Sequence, residues 1–316
     1  MTKATKQFLI GATVVLAIAF ATAMSIRLEY FYFASYVVLQ FIVLATAWNI
    51  LGGYAGYVNF GSGAFFAVGA YTAVALFKAF ALPLPLLVIA GAFVAGLLGL
   101  FVGATSLRLR GIYFSIATVA ISIILETVML NVSYTGGAKG MAVLRPEPPW
   151  PFHGYLPWIF FAMSVMVVVS VFIARYIETS WIGRGLRAIR DNEEAAECSG
   201  VPTLKLKLAA ATISGAMMGA AGAPFALYLS FIEPGSVFNL NYAVSALAMP
   251  IIGGMSHWFG PVIGAVLLGT VQQAVTVTLT SELNVLVIGV LLVAFVVLAP
   301  DGIIGLWRKF RSGSAK

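Results

Sequence analysis

Apolar residues run along this chain in long stretches broken by short polar segments, as from Ile10 to Met24 and from Val285 to Ala299. A bilayer-crossing helix needs about 20 such residues, whereas a transmembrane barrel would show alternating segments of about ten. The pattern therefore predicts an all-α, polytopic membrane protein. Hydropathy places spans at 8–26, 30–51, 63–80, 84–106, 112–131, 156–176, 207–231, 241–256, 259–280 and 283–300. Between the eighth and ninth, Gly253, Gly254, Gly260 and Pro261 leave two readings open, separate spans or a broken, re-entrant helix, so the expected count is about ten, from eight to ten. Little is left over for a second soluble domain, and residues 1–316 read as one transmembrane domain. Lys3 and Lys6 before an apolar run that closes in Ala21-Thr22-Ala23 imitate a signal peptide. Because that run reaches Ile26 and the next begins a few residues later, it reads as an uncleaved first span.

Composition strengthens this picture: 61% of the 316 residues are hydrophobic, 9% are charged, and mean hydropathy is +1.01. The balance of 18 Lys and Arg against 11 Asp and Glu gives a net charge of +7. Nucleic acid is not needed to explain it. With the N-terminus and C-terminus both cytoplasmic, 14 of the 18 basic residues fall inside, leaving only Arg27, Lys78, Lys139 and Arg145 outside, as the positive-inside rule requires. Cys198 is the single cysteine, and His153 and His257 stand far apart, so neither a disulfide nor a metal site is expected.

Two connections are long enough to act outside the bilayer. The external loop at 132–155 carries Gly136, Gly137, Gly140 and the prolines from Pro146 to Pro151 around Trp150. The cytoplasmic stretch, a loop at 177–206 with its flanks from Arg175 to Lys207, holds 11 of the 29 charged residues. There Arg184, Arg187 and Arg190 precede Asp191, Glu193, Glu194 and Glu197. One continuous helix would set these charges against its dipole. Two short helices remove the conflict: the first ends at Arg190, and the second starts with Asp191 or Asn192 as N-cap, Asp191 and Glu194 being spaced as a capping box. Gly200 suits the position after the second helix, and Pro202 prevents continuation. The result is a compact knuckle with Leu186 and Ile189 on its buried side.

Glycines crowd the segment from Gly52 to Gly69, and Tyr57, Asn59 and Ser62 among them are polar enough to line a solute cavity beside a broken helix, or to serve close packing alone. The spacings Gly99/Gly103, Gly215/Gly219 and Gly260/Gly264 favour packing. Glu126 is the one carboxylate well inside a predicted span, where a charge costs about 2.5–3.5 kcal/mol. It reads either as a pathway residue or as a hydrogen-bonded structural group. No phosphate loop, dinucleotide fingerprint, zinc-protease or serine-hydrolase motif is present. The chain is not expected to be an enzyme, nor to bind ATP.

The stretch Glu194-Ala195-Ala196-Glu197-Cys198-Ser199-Gly200 resembles the ATPase-docking motif of ABC importer permeases, and Gly183 to Glu193 resembles its longer form in branched-chain amino-acid importers. Gly53 to Gly61 with Gly69-Ala70-Tyr71, then Ile252-Gly253-Gly254, Phe259-Gly260-Pro261 and Pro300-Asp301-Gly302, are similar to the same LivH/LivM permease family. The family often has Leu-Ser-Leu-Gly-His where Val58-Asn59-Phe60-Gly61-Ser62 stands here. The resemblance implies a multi-pass subunit of the bacterial inner membrane, in contact with membrane lipid. Its implied partners are a second homologous permease, two cytoplasmic ATP-binding subunits that hold ATP and Mg, and a periplasmic substrate-binding protein. Arg184, Arg187 and Glu194 would be rim contacts to the ATPase, Leu186 and Ile189 its apolar anchors, and Gly200 part of the coupling element. The implied cargo is branched-chain amino acids, with urea or short amides as the alternative within the family. A secondary transporter or channel would instead need coupling charges of its own, for which Glu126 alone is thin provision.

Overall fold

The computed structural model describes residues 3–278, 281–298 and 302–306. Pro300 and Asp301 of the closing motif, the predicted span ends at 279–280 and 299–300, and Arg308, Lys309, Arg311 and Lys316 from the charge count lie outside these residues. The helices are α1 (Lys3–Ser25), α2 (Glu29–Ala55), α3 (Ser62–Phe80), α4 (Leu84–Ser106), α5 (Ile112–Asn131), α6 (Tyr155–Thr179) and α7 (Trp181–Asp191), followed by α8 (Glu193–Cys198), α9 (Thr203–Leu229), α10 (Pro234–Val237), α11 (Leu240–Gly253), α12 (Gly260–Thr278) and α13 (Ser281–Leu298). Among the described residues, eight helical stretches are long and apolar enough to cross a membrane. The chain is thus a polytopic helical protein.

Local chemistry sets several boundaries. Helix α2 stops where Gly56 adopts φ 77°, a left-handed conformation that costs glycine little. Proline at 83 precedes α4 and proline at 202 precedes α9, positions where a missing N–H is harmless. Helix α9 starts at Thr203, earlier than the expected residue 207, so Lys205 and Lys207 belong to its first two turns.

The middle of the molecule is α2, every residue of which from Gln40 to Ala55 is buried. Helices α6, α9, α11 and α12 pack beside it, and α3, α4 and α9 pack on one another with their backbones nearly touching. A Cβ placed on Gly69 would lie 2.0 Å from the Gly219 carbonyl oxygen, and one on Gly219 would lie 2.2 Å from the Ala95 Cβ and 2.5 Å from the Gly91 oxygen. Gly99 and Gly215 meet Ala211 and Ala95 backbone oxygens at 2.6 and 2.9 Å in the same way. These are the small-residue contacts by which helices associate in lipid. By contrast α5 buries only Phe114, Thr118 and Ser122, and α1 rests on α6 through Phe8, Phe20, Phe161 and Phe172, with Phe152 of the preceding loop also against Phe20.

The two readings of the Gly253–Gly260 region resolve into a helical hairpin. Helix α11 has 14 residues, about 21 Å at 1.5 Å per residue, and reaches a spanning length of 20 residues only together with α10, as Pro234–Gly253. Its return into α12 is tight: a Cβ on Gly264 would lie 1.8 Å from the Met249 oxygen.

Alternation of the helices places the connections at two ends. At one end Met141 and Ala142 (β1) pair antiparallel with Ile232 and Phe231 (β2), and Arg145 donates to the Ser230 hydroxyl at 2.6 Å. This ties the 132–155 loop to the α9–α10 turn. At the other end the connections at 56–61, 107–111, 180–202 and 254–259 converge on one another.

The glycine crossing generates a comparison. Gly219→Ala should lower the melting temperature of the purified protein by several degrees, since overpacking costs about 1–3 kcal/mol or more. Gly11→Ala, where nothing lies within 4 Å of the added carbon, should leave it unchanged or raise it slightly.

Candidate functional site

The second group of converging connections is built around the knuckle of α7 and α8. Ser180 caps α7 by accepting from the Gly183 N–H, and Asn192 caps α8 by accepting from the Ala195 N–H at 3.0 Å. Of the two expected N-caps, Asn192 is the one used, because α7 continues through Asp191. The expected Asp191–Glu194 capping box is therefore displaced, and Glu194 pairs with Arg110 at 2.8 Å instead. Beyond α8 the Gly200 N–H bonds to Glu197 O at 2.9 Å and the Val201 N–H to Ala196 O at 3.0 Å. This double closure needs the left-handed φ of 81° that Gly200 supplies.

Leu186 and Ile189 are fully buried within the chain, at 0% and 3% exposure. They anchor the knuckle to its own transmembrane body, and as placed they offer no side chain to a partner, which corrects their reading as anchors to another subunit. The outward surface instead includes Trp181, Arg184, Asp191, Glu194, Ala195, Glu197 and Gly200, all exposed. Arg187 is half-buried and donates to the Glu178 carbonyl at 3.3 Å.

Beneath the knuckle lies the broken connection between α2 and α3. Tyr57 is buried, and its hydroxyl donates to Glu193 Oε2 at 2.6 Å. Lys207 directs its ammonium to Glu193 Oε1, to the Tyr57 hydroxyl at 3.0 Å and to the Leu107 carbonyl at 3.1 Å, using all three of its protons. Burial opposes ionisation of Glu193. Hydrogen bonds from Lys207 and Tyr57, with the charges of Lys207 and Arg110, outweigh it and hold the carboxyl below the usual carboxylate range. Burial and the adjacent Glu193 push the Tyr57 phenol up, so it stays a donor. Three further bonds run alongside. Arg190 donates to the Gly53 carbonyl at 2.8 Å. Glu178 Oε2 accepts from the Tyr54 hydroxyl at 3.4 Å and from the backbone N–H of Trp258 in the α11–α12 turn.

The residues expected to line a pathway do not form one wall. Tyr57 faces the knuckle. Asn59 is buried and spends its carbonyl oxygen on the Gly61 N–H at 2.8 Å, holding the turn into α3, while its own backbone oxygen accepts from Trp48 Nε1. The Tyr57 hydroxyl and the Asn59 side-chain carbonyl are thus engaged by protein groups. Ser62, at the start of α3, is buried with its hydroxyl unpartnered. Glu126 is half-buried on α5, eight residues from Thr118 and so about 12 Å along the helix from the connection that Thr118 holds. No role at this site was expected from sequence for Glu178, Arg190, Glu193 or Lys207. Lys207 carried a signal nonetheless, since a cation in the opening turns of a helix opposes the dipole and calls for a compensating anion.

A family model described as the permease component of the branched-chain amino acid transport system matches residues 30–296. The chain belongs to that family. It is 30% identical to the high-affinity branched-chain amino acid transport system permease LivM of Salmonella typhimurium, over 87% of this chain and 71% of that protein. The Escherichia coli LivM permease is likewise 30% identical, with the same coverage of each chain. The probable LivH permease of Methanocaldococcus jannaschii is 28% identical over 80% of this chain and 85% of its own. No solved structure matches. The protein is thus a multi-pass permease of the inner membrane, not itself an enzyme, and the pairing of LivH with LivM among its relatives implies a second permease subunit.

The lowered carboxyl of Glu193 has a measurable sign. Its stabilising contribution is present above the unfolded value, near 4.3, and is lost as pH falls through the lower folded value. Glu193→Gln should therefore destabilise the detergent-solubilised permease at pH 7, by about 3 kcal/mol for an unpaired buried cation. The gap in melting temperature from wild type should close as the medium is acidified.

Proposed function

We propose that this permease forms the membrane passage of an ATP-driven importer for branched-chain amino acids, with its knuckle as the seat of a cytoplasmic ATPase. In this reading two ATP-binding subunits hold ATP and Mg, a second permease completes the passage, and a periplasmic binding protein delivers the solute to the opposite face. The observation that carries it is the knuckle: two capped helices, anchored inward through Leu186 and Ile189, that present Trp181, Arg184 and Glu194 outward. A packed helical element transmits a push as a rigid body. A floppy loop would absorb it. The positive-inside distribution supports the cytoplasmic side for this end of the molecule. The loop that carries Trp150 at the other end, tied down by the β1–β2 pair, is the matching candidate for contact with the binding protein.

Two variants test the seat in the reconstituted importer. Glu194→Lys reverses an exposed charge whose pairing with Arg110 contributes little to folding, and Gly200→Val forces a β-branched side chain into φ 81°. Each should reduce solute uptake per ATP hydrolysed while the protein still inserts in the membrane. Normal coupled uptake in both would count decisively against docking at the knuckle. The cargo is tested on the binding protein by thermal shift: leucine, isoleucine and valine should stabilise it, and stabilisation by urea but by no amino acid would overturn the substrate assignment.

A further inference from the structure

The knuckle is joined to the transmembrane body by more than apolar burial. Glu193 on α8, Lys207 on α9 and Tyr57 in the α2–α3 connection form a closed triangle in which each side chain bonds the other two, and the Leu107 carbonyl at the end of α4 takes the remaining ammonium proton. Lys207 is 4% exposed and the Glu193 side chain 14%. Few other charged groups in the described chain are so deeply placed. The neighbouring residues carry the connection further. Val58 accepts from the Ser115 hydroxyl at 2.8 Å and the Phe60 N–H donates to Thr118 at 3.1 Å, both on α5, and the Tyr57 ring meets Phe114 of α5 edge-on at 5.3 Å. Helix α5 has only three buried residues, so these contacts are a large part of what holds its end. The α4 and α9 ends of the triangle, by contrast, belong to the glycine-packed block.

We infer that Tyr57, Glu193 and Lys207 are positioning residues that carry displacement of the knuckle into the α2–α3 connection and thence into α5. The inference rests on the proposed ATPase seat and deepens it. A purely structural role for the triangle would require only that the knuckle stay attached, for which Leu186, Ile189 and the Arg190–Gly53 bond suffice. What the triangle adds is a short, directional link between an element that a partner touches and a span that little else restrains. Salt-bridged, low-dielectric contacts of this kind have few intermediate arrangements, which suits a two-position device.

Tyr57→Phe tests the link most cleanly, because it removes one hydroxyl and leaves Lys207 paired with Glu193. In the complete importer reconstituted in liposomes, uptake per ATP hydrolysed should fall about tenfold, within the usual range of coupling between sites, while ATPase subunits still co-purify with the permease. A spin label on the native Cys198, which is exposed at the end of α8, should respond to ATP in both wild type and variant. A label at Ile124→Cys on the exposed face of α5, in a Cys198→Ser background, should respond to ATP only when Tyr57 is present. The double variant Glu193→Gln, Lys207→Met, which buries no unpaired charge, should behave like Tyr57→Phe.

An α5 label that responds to ATP equally in wild type and Tyr57→Phe overturns the link while leaving the seat intact. So does wild-type uptake per ATP in Tyr57→Phe. A Cys198 label that is indifferent to ATP in the wild-type importer overturns the seat and the link with it.

Discussion

The architecture depends on how closely three backbones approach. Hydrocarbon offers helices no hydrophobic reward for meeting, so association in a membrane rests on contact at short range. Where Gly69 and Gly219 meet beside Gly91, the distances at the first two leave no room for even one methyl group. Helices α3, α4 and α9 are thereby locked into a block, and α2, buried over sixteen consecutive residues from Gln40 to Ala55, packs against α9 of that block and against α6, α11 and α12. Whatever moves in this molecule moves around that block, not through it. The peripheral helices α1 and α5 are the ones with little to lose by shifting.

That division explains where charge is placed. An ion pair under the membrane surface is expensive unless both partners keep their hydrogen bonds. Lys207 and Glu193 sit in the chain with their demands met by Tyr57 and Leu107. The exposed pair Arg110–Glu194 lies outside it and contributes little to stability. Two acidic residues adjacent in sequence thus have opposite surroundings. Glu193 faces inward and fastens the knuckle; Glu194 faces outward and remains available to another protein.

Most of the spans were legible in the sequence because each follows from a local property: apolar length, a proline or a glycine at its end. The knuckle was legible for the same reason, since its two helices follow from the order of charges and from caps within a few residues of each other. The partnerships were not. Tyr57 and Lys207 stand 150 positions apart, and nothing near either names the other. Tyr57 and Asn59 looked like cavity residues because polarity within an apolar region has two explanations, solute or protein partner, and only the fold distinguishes them. Leu186 and Ile189 were correctly placed on an apolar face, but which surface that face meets is a tertiary question. Lys207 was counted among the topological charges although its place in the opening turns of α9 already argued for an anion.

The spans also differ in how apolar they are, in an order that concerns their making. Helix α1 has a mean hydropathy of 2.2, against 1.3 for α9. The first is largely exposed on the chain's own surface and rests mainly on α6, about 130 residues later in the chain, with Tyr32 of α2 bonded to its last turn. During synthesis it must therefore reside in the bilayer before its main partner is made, and its composition permits that. The second carries two lysines near its start and a long run of alanines and glycines that only neighbouring helices can cover. A segment of that kind enters lipid readily when α2, α3 and α4 are already waiting for it. The order of the spans along the chain supplies that condition, with the self-sufficient helix first and the dependent one after the helices that receive it.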